Sequence, residues 1–148
     1  MKTICILVFL LAAPIAVKAQ GSTCSEQTIR DVVKNKTIKY TDDNFFWSGA
    51  YDKPMIGKAE RTEGAKKVEA EEPRNNEANA DHPQRVVVSK SGDMAYEYGN
   101  GEMSYDEQKT GKHVSFQLGY LRVWKSVDGQ CKVAATMVKP IESSIKSN

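Results

Sequence analysis

Few side chains in this sequence have the types and spacing that chemistry demands. Nucleophilic catalysis needs a base within hydrogen-bond reach of a hydroxyl or thiol, and only His82 and His113 offer an imidazole. His82 stands in a polar stretch just before Pro83, and His113 opens a β-rich run, where an ordinary strand-edge role is the commoner use. Two histidines so far apart, with cysteines that pair, supply no metal-ligand cluster, so neither a metal nor another cofactor is expected. Asp42 and Asp43 follow Tyr40 and precede Trp47. A carboxylate stripped of water beside those rings would have a raised pKa and a base's reactivity, whereas the more frequent use of Asp before a strand is to hold a turn. Asp43, Tyr40 and His113 are therefore the catalytic candidates, each weighed against a structural role.

The aromatic side chains form a clearer pattern. Tyr96 and Tyr98 share a strand face with Met94, and Phe116, Tyr120 and Trp124 share one with Arg122, because successive strand residues point to opposite sides. Together with Trp47 these rings are the candidate lining of a ligand pocket, and plain core or a dimer face is the competing use for each. Leu121 and Val123 occupy the other face of their strand, so both faces of the sheet carry apolar groups. One face is expected to pack helices and the other to pair subunits.

The elements that must position these residues follow from periodicity. Residues 24–34 read as a short helix capped by Ser25, with Ile29, Val32 and Val33 on one side. A strand begins at Ile38 and ends at Ser48-Gly49. Residues 58–72 are helix formers with Glu63/Lys67 and Lys67/Glu71 at i,i+4, stopping before Pro73; their apolar stripe is thin. The Asn-rich stretch 73–84 has no period and predicts a polar, mobile loop. Residues 85–89, 93–104, 113–125 and 130–138 are β-rich runs separated by turn residues, which predicts antiparallel hairpins. Gly99 and Gly119 interrupt strand patterns where a bulge or bend is common, so the sheet should curve. Helices first and a curved antiparallel meander last describe an α+β domain with a concavity between the layers.

Composition bounds the rest. At 148 residues the chain makes one domain. Met1-Lys2, the apolar run Ile4 to Ile15 and Val17-Lys18-Ala19 form a secretory signal peptide over residues 1–19, too short in its apolar part to span a bilayer. Cleavage after Ala19 leaves a single domain, 20–148, in which nineteen basic residues face nineteen acidic ones. Without a basic face the mature chain has no footprint for nucleic acid or an anionic membrane. A secreted or periplasmic location follows, and there Cys24 and Cys131, the two cysteines left after processing, have one connectivity; two unrelated buried thiols are the alternative. Asn35-Lys36-Thr37 is a glycosylation acceptor only in a eukaryotic host.

The segments Gly92-Asp93-Met94-Ala95-Tyr96, Gly119-Tyr120-Leu121-Arg122-Val123-Trp124-Lys125 and Asp128-Gly129-Gln130-Cys131-Lys132-Val133-Ala134, with Asp42-Asp43 before Phe45 and Gly57-Lys58 before the second helix, carry a resemblance. The chain resembles the nuclear-transport-factor-2-like superfamily over roughly residues 38–140, most of all the secreted branch labelled domain of unknown function 4440, near the SnoaL-like and ketosteroid-isomerase-like proteins. The resemblance implies a cone-shaped curved antiparallel sheet with N-terminal helices on one face. In isomerase-like relatives an aspartate near the pocket mouth acts as a base and a tyrosine can stabilise an enolate, which is what singles out Asp42 and Asp43, close to Tyr40 and Trp47. Two departures stand out: the N-terminal helical region is short, and Cys131 occupies a position where the family commonly has Trp, which strengthens its pairing with Cys24. The expectation is a binder of a small apolar molecule or an accessory protein, with no demonstrable catalytic machinery. The alternatives are an isomerase-like or hydrolase-like enzyme using a pocket acid, and a structural or protein-interaction module.

Overall fold

The computed structural model describes residues 24–49 and 51–148; the expected signal peptide and its cleavage site lie outside the described residues. Helix α1 (Glu26–Lys34) starts where the Ser25 hydroxyl accepts the Thr28 amide at 3.0 Å, satisfying one of the free donors at a helix start. It buries Ile29 and Val33, the stripe expected from spacing. Strand β1 (Tyr40–Ser48) is followed by a two-residue strand β2 (Met55–Ile56) and helix α2 (Gly57–Glu71). Gly57 has φ +73°, and a Cβ there would meet the Asp42 carbonyl at 2.8 Å, so glycine alone suits the bend into α2. Of α2's residues only Gly57 is buried.

Four long strands follow: β3 (Arg74–Val88), β4 (Met94–Glu107), β5 (His113–Val127) and β6 (Gln130–Pro140), joined as an antiparallel meander. A short 3-10 turn (Glu142–Ser144) leads to β7 (Lys146–Ser147), which pairs with β5. The sheet order is β2-β1-β6-β5-β4-β3, with β1 parallel to β6 and the other pairs antiparallel. The fold is thus α+β, two helices on a seven-stranded, mostly antiparallel sheet.

One expectation needs correction. Residues 73–84 are not a mobile loop: from Arg74 onward they form the first two-thirds of β3, paired with β4 from Arg74↔Glu107 to Pro83↔Gly99. Their side chains are mostly exposed on both faces, so no alternation marks them, and backbone hydrogen bonding to β4 alone makes the strand. β3 is a sheet edge. It bulges between Asn75 and Ala78 and between Pro83 and Arg85, and two side chains of the α1 segment reach its backbone: Arg30 Nη1 donates to the Pro83 carbonyl at 3.1 Å and Lys36 Nζ to the Asn79 carbonyl at 3.1 Å.

The core sits beneath α1, where Ile29 and Val33 pack with Val86, Ala95, Trp124 and Val133. Cys24 and Cys131 form a disulfide there, with Cα atoms 5.0 Å apart, joining the start of α1 to β6 across 107 residues of chain. No helix among the described residues is long and apolar enough to cross a membrane.

Candidate functional site

Register decides which residues face the helices. Ala95↔Trp124, Glu97↔Arg122, Gly99↔Tyr120 and Met103↔Phe116 are cross-strand pairs of β4 and β5, and all lie on the concave face. Asp81 joins them from β3 opposite Gly101, and Thr136 from β6 opposite Arg122. Gly99 has to be small: a Cβ would run into the His82 carbonyl, and would lie 2.7 Å from the Tyr120 hydroxyl.

At the centre of this face lies a buried polar cluster. Glu97 is fully buried and accepts three donors, the Tyr120 hydroxyl at 2.8 Å, the Trp124 indole N–H at 2.9 Å and Arg122 Nη1 at 3.4 Å. Arg122 Nη2 donates to Asp81 Oδ2, and the guanidinium stacks on the Tyr120 ring 4.4 Å away. Burial opposes the Arg122 charge, yet the Asp81 hydrogen bond and the charges of Asp81 and Glu97 outweigh it and raise its pKa. Burial first, then the Glu97 charge and hydrogen bond, push the Tyr120 phenol well above its ordinary range, so it remains a donor. An ion pair this deep is held by its extra hydrogen bonds as much as by Coulomb attraction.

Above the cluster, between α2 and the sheet, opens a cleft of about 970 Å³. Its apolar walls are Ile38, Tyr40, Phe46, Val68, Phe116 and Leu118; Asp81 and Arg122 lie in its lining, and Glu69, Glu72, Arg74 and Glu77 add charge to it. A second cleft of about 560 Å³, between the far ends of β3, β4 and β5 and the C-terminal segment, is lined largely by polar groups such as Glu102, Ser104, His113 and Ser115.

The structure divides the residues singled out from sequence. Phe116 and Tyr40 line the larger cleft, Tyr40 with the Arg61 guanidinium 4.3 Å from its ring centre. Tyr120 and Trp124 lie on the same face as Phe116 but are buried, bonded to Glu97. Trp47, Tyr96 and Tyr98 do not face this cleft. Trp47 pairs with Met137, Tyr98 with Leu121 and Tyr96 with Val123 on the convex face, because strand alternation turns them away from the helices. Asp43 is exposed in the irregular part of β1, between Tyr40 and Phe45, and is not in the cleft lining. His113 Nδ1 lies 2.7 Å from Asp106 Oδ1 on the exposed start of β5, in the second cleft. No group of three or more metal-ligating side chains occurs among the described residues.

Glu97 and Asp81 escaped sequence reasoning. Asp81 lies in the stretch that lacks periodicity. Glu97 carried one legible signal: it shares a strand face with Ala95 and Gly99, small residues that leave room for a neighbour, while Tyr96 and Tyr98 point the other way.

No protein-family model matches the chain, and no curated protein matches it in sequence. Solved structures do match in shape. A ketosteroid isomerase-like protein from Erwinia carotovora atroseptica superposes with a TM-score of 0.57 at 23% identity, over 70% of this chain and 76% of that one. A nuclear transport factor 2 (NTF2-like) superfamily protein from Salmonella enterica gives 0.58 at 11% identity, over 75% and 81%. A hexachlorocyclohexane dehydrochlorinase from Novosphingobium barchaimii gives 0.57 at 12% identity, over 74% and 72%. At these identities the likeness is one of fold, and the fold is nuclear-transport-factor-2-like.

Proposed function

We propose that this chain is an extracytoplasmic protein of the secreted branch resembled in its sequence, and that it binds a small, largely apolar molecule between α2 and the sheet. The observation that carries the reading is the 970 Å³ cleft, which combines aromatic and aliphatic walls with the charged pair Asp81 and Arg122 at its floor and further charged groups, among them Arg74 and Glu72, in its lining. Ligand sites typically have that size and that mixture of apolar lining with a few placed polar groups. The disulfide and the signal-like N-terminus agree with an oxidising compartment.

An isomerase-like alternative would take Asp81, not Asp43, as its acid, because Asp81 is the aspartate in the cleft lining. Its Oδ2 is already engaged by the Arg122 guanidinium, a structural partner rather than a substrate. Binding without turnover is the better reading.

The convex face suits a second copy of the chain. Trp47, Met94, Tyr96, Tyr98, Leu121 and Met137 are each 38–47% exposed there. Large side chains of this kind supply roughly 500 Å² of apolar surface between them, the core of an ordinary interface of about 800 Å² per partner.

The cleft is tested with N-phenylnaphthylamine, an uncharged fluorescent probe. Saturable one-to-one binding is expected, and Leu118→Trp, which fills the cleft, should abolish it while the circular dichroism spectrum is retained. Absence of binding, or binding indifferent to Leu118→Trp, refutes the reading.

A further inference from the structure

The structure assigns to this cleft a ligand that carries a protonated amine on its apolar body, an inference that rests on the binding reading above. In the buried cluster one guanidinium answers two carboxylates, so Arg122, Glu97 and Asp81 together keep a net negative charge. Glu97 is fully buried and closed in by three donors. Asp81 is different: its side chain is 28% exposed, it lines the cleft, and among the described residues Oδ1 accepts from no protein group while Oδ2 takes Arg122. Desolvating that oxygen beneath a ligand without a donor would cost its hydration and return nothing.

The wider lining repeats the imbalance. Its other cations are committed: Lys36 Nζ donates to the Asn79 carbonyl at 3.1 Å, and Arg74 pairs with Glu72 at 3.0 Å while lying 4.1 Å over the Tyr105 ring. Glu69 and Glu77 are exposed and make no ion pair among the described residues. Four acids of the lining, Glu69, Glu72, Glu77 and Asp81, face three cations, Lys36, Arg74 and Arg122, so a carboxylate or phosphate ligand meets the less favourable balance of charge. An ammonium meets the opposite field, finds an acceptor in Asp81 Oδ1, and brings its hydrocarbon against Phe116 and Leu118. The rings here already accept positive charge: the Arg61 guanidinium lies 4.3 Å from the Tyr40 centroid and 5.5 Å from that of Phe46.

Isothermal titration with three ligands of one skeleton tests this: naphthylethylamine, naphthylethanol and naphthylacetate, each at neutral pH. The amine should bind about tenfold or more tightly than the alcohol, as a charge-assisted hydrogen bond implies, and the carboxylate more weakly than either. Asp81→Asn should bring the amine to the alcohol's affinity. Should that variant fail to fold, the surface double variant Glu69→Gln, Glu77→Gln should lower amine affinity a few-fold and leave the alcohol unchanged. Equal binding of amine and alcohol, or tightest binding of the carboxylate, overturns the amine assignment and leaves the cleft reading standing when the neutral probe still binds. If neither the probe nor any of the three ligands binds, both readings fall.

Discussion

The two helices cover the same concave face and do so in opposite ways. Under α1 the space is filled: Ile29 and Val33 are buried against Trp124 and Val133, and a disulfide fastens the helix to β6. Under α2 the space is open, a cleft wide enough for a ligand, and none of the helix's apolar side chains is fully buried. α2 is held instead by local contacts, Glu60 accepting the Ile56 amide at 2.8 Å and Arg61 lying on Tyr40 and Phe46. Packed core and open cleft are thus spatially separated, with the Glu97 cluster at the boundary.

Removing the staple should produce the largest change. The Cys24→Ser, Cys131→Ser double variant closes no loop, and chain entropy for about a hundred residues puts the loss at up to ~4.7 kcal/mol, read as a lower urea midpoint. A thiol assay on the unfolded, unreduced protein should find no free sulfhydryl; a positive assay would undo the contrast at its firmest point.

Truncation tests the packing directly. Ile29→Ala should cost about 2–4 kcal/mol in urea unfolding, the price of a fully buried isoleucine. Val68→Ala on α2 should cost less than about 1 kcal/mol, since the side chain is only half-buried. Equal losses would mean that the two helices are anchored alike. Below these comes the start of α1: Ser25→Ala removes the hydroxyl that accepts the Thr28 amide and should cost about 1 kcal/mol by the same measurement.

The smallest effect lies outside both helices, where β4 ends and β5 begins. Asp106 is held below its ordinary value of 3.8 by the Asn76 hydrogen bond first and by His113 second. A depressed carboxylate contributes stability above its unfolded pKa and loses it as pH falls through the folded value, so this contribution should fade on acidification below about 3.8. Melting temperature followed against pH should fall slightly less steeply in that window for Asp106→Asn than for the parent. An identical slope would remove the pair from the account.

Much of the architecture was legible because periodicity reports burial. Ile29 and Val33 declared the face of α1, and the four β-rich runs became β3 to β6 because alternating side chains and turn residues bounded them. The outer part of β3 was illegible for the same reason: Arg74 to Gln84 is an edge whose side chains mostly meet water, and only its backbone is committed. The polar centre was half legible. Arg122 sat awkwardly among Phe116, Tyr120 and Trp124 in the pattern, but its partners come from β3 and β4, and a single strand's sequence does not show what crosses from the next.

The edges of the sheet have a consequence for assembly. One edge is β2, only two residues long; the other, β3, is broken by two bulges and Pro83, with Arg30 and Lys36 capping two of its carbonyls. Strand-to-strand addition, the route by which sheets propagate into fibrils, therefore meets interrupted hydrogen-bonding rows at both ends. The apolar surface that remains lies on a face, and there the proposed two-fold contact would consume the same patch on both copies and leave nothing for a third. Growth strand by strand is then self-limiting, and the chain is guarded against polymerising through its own sheet.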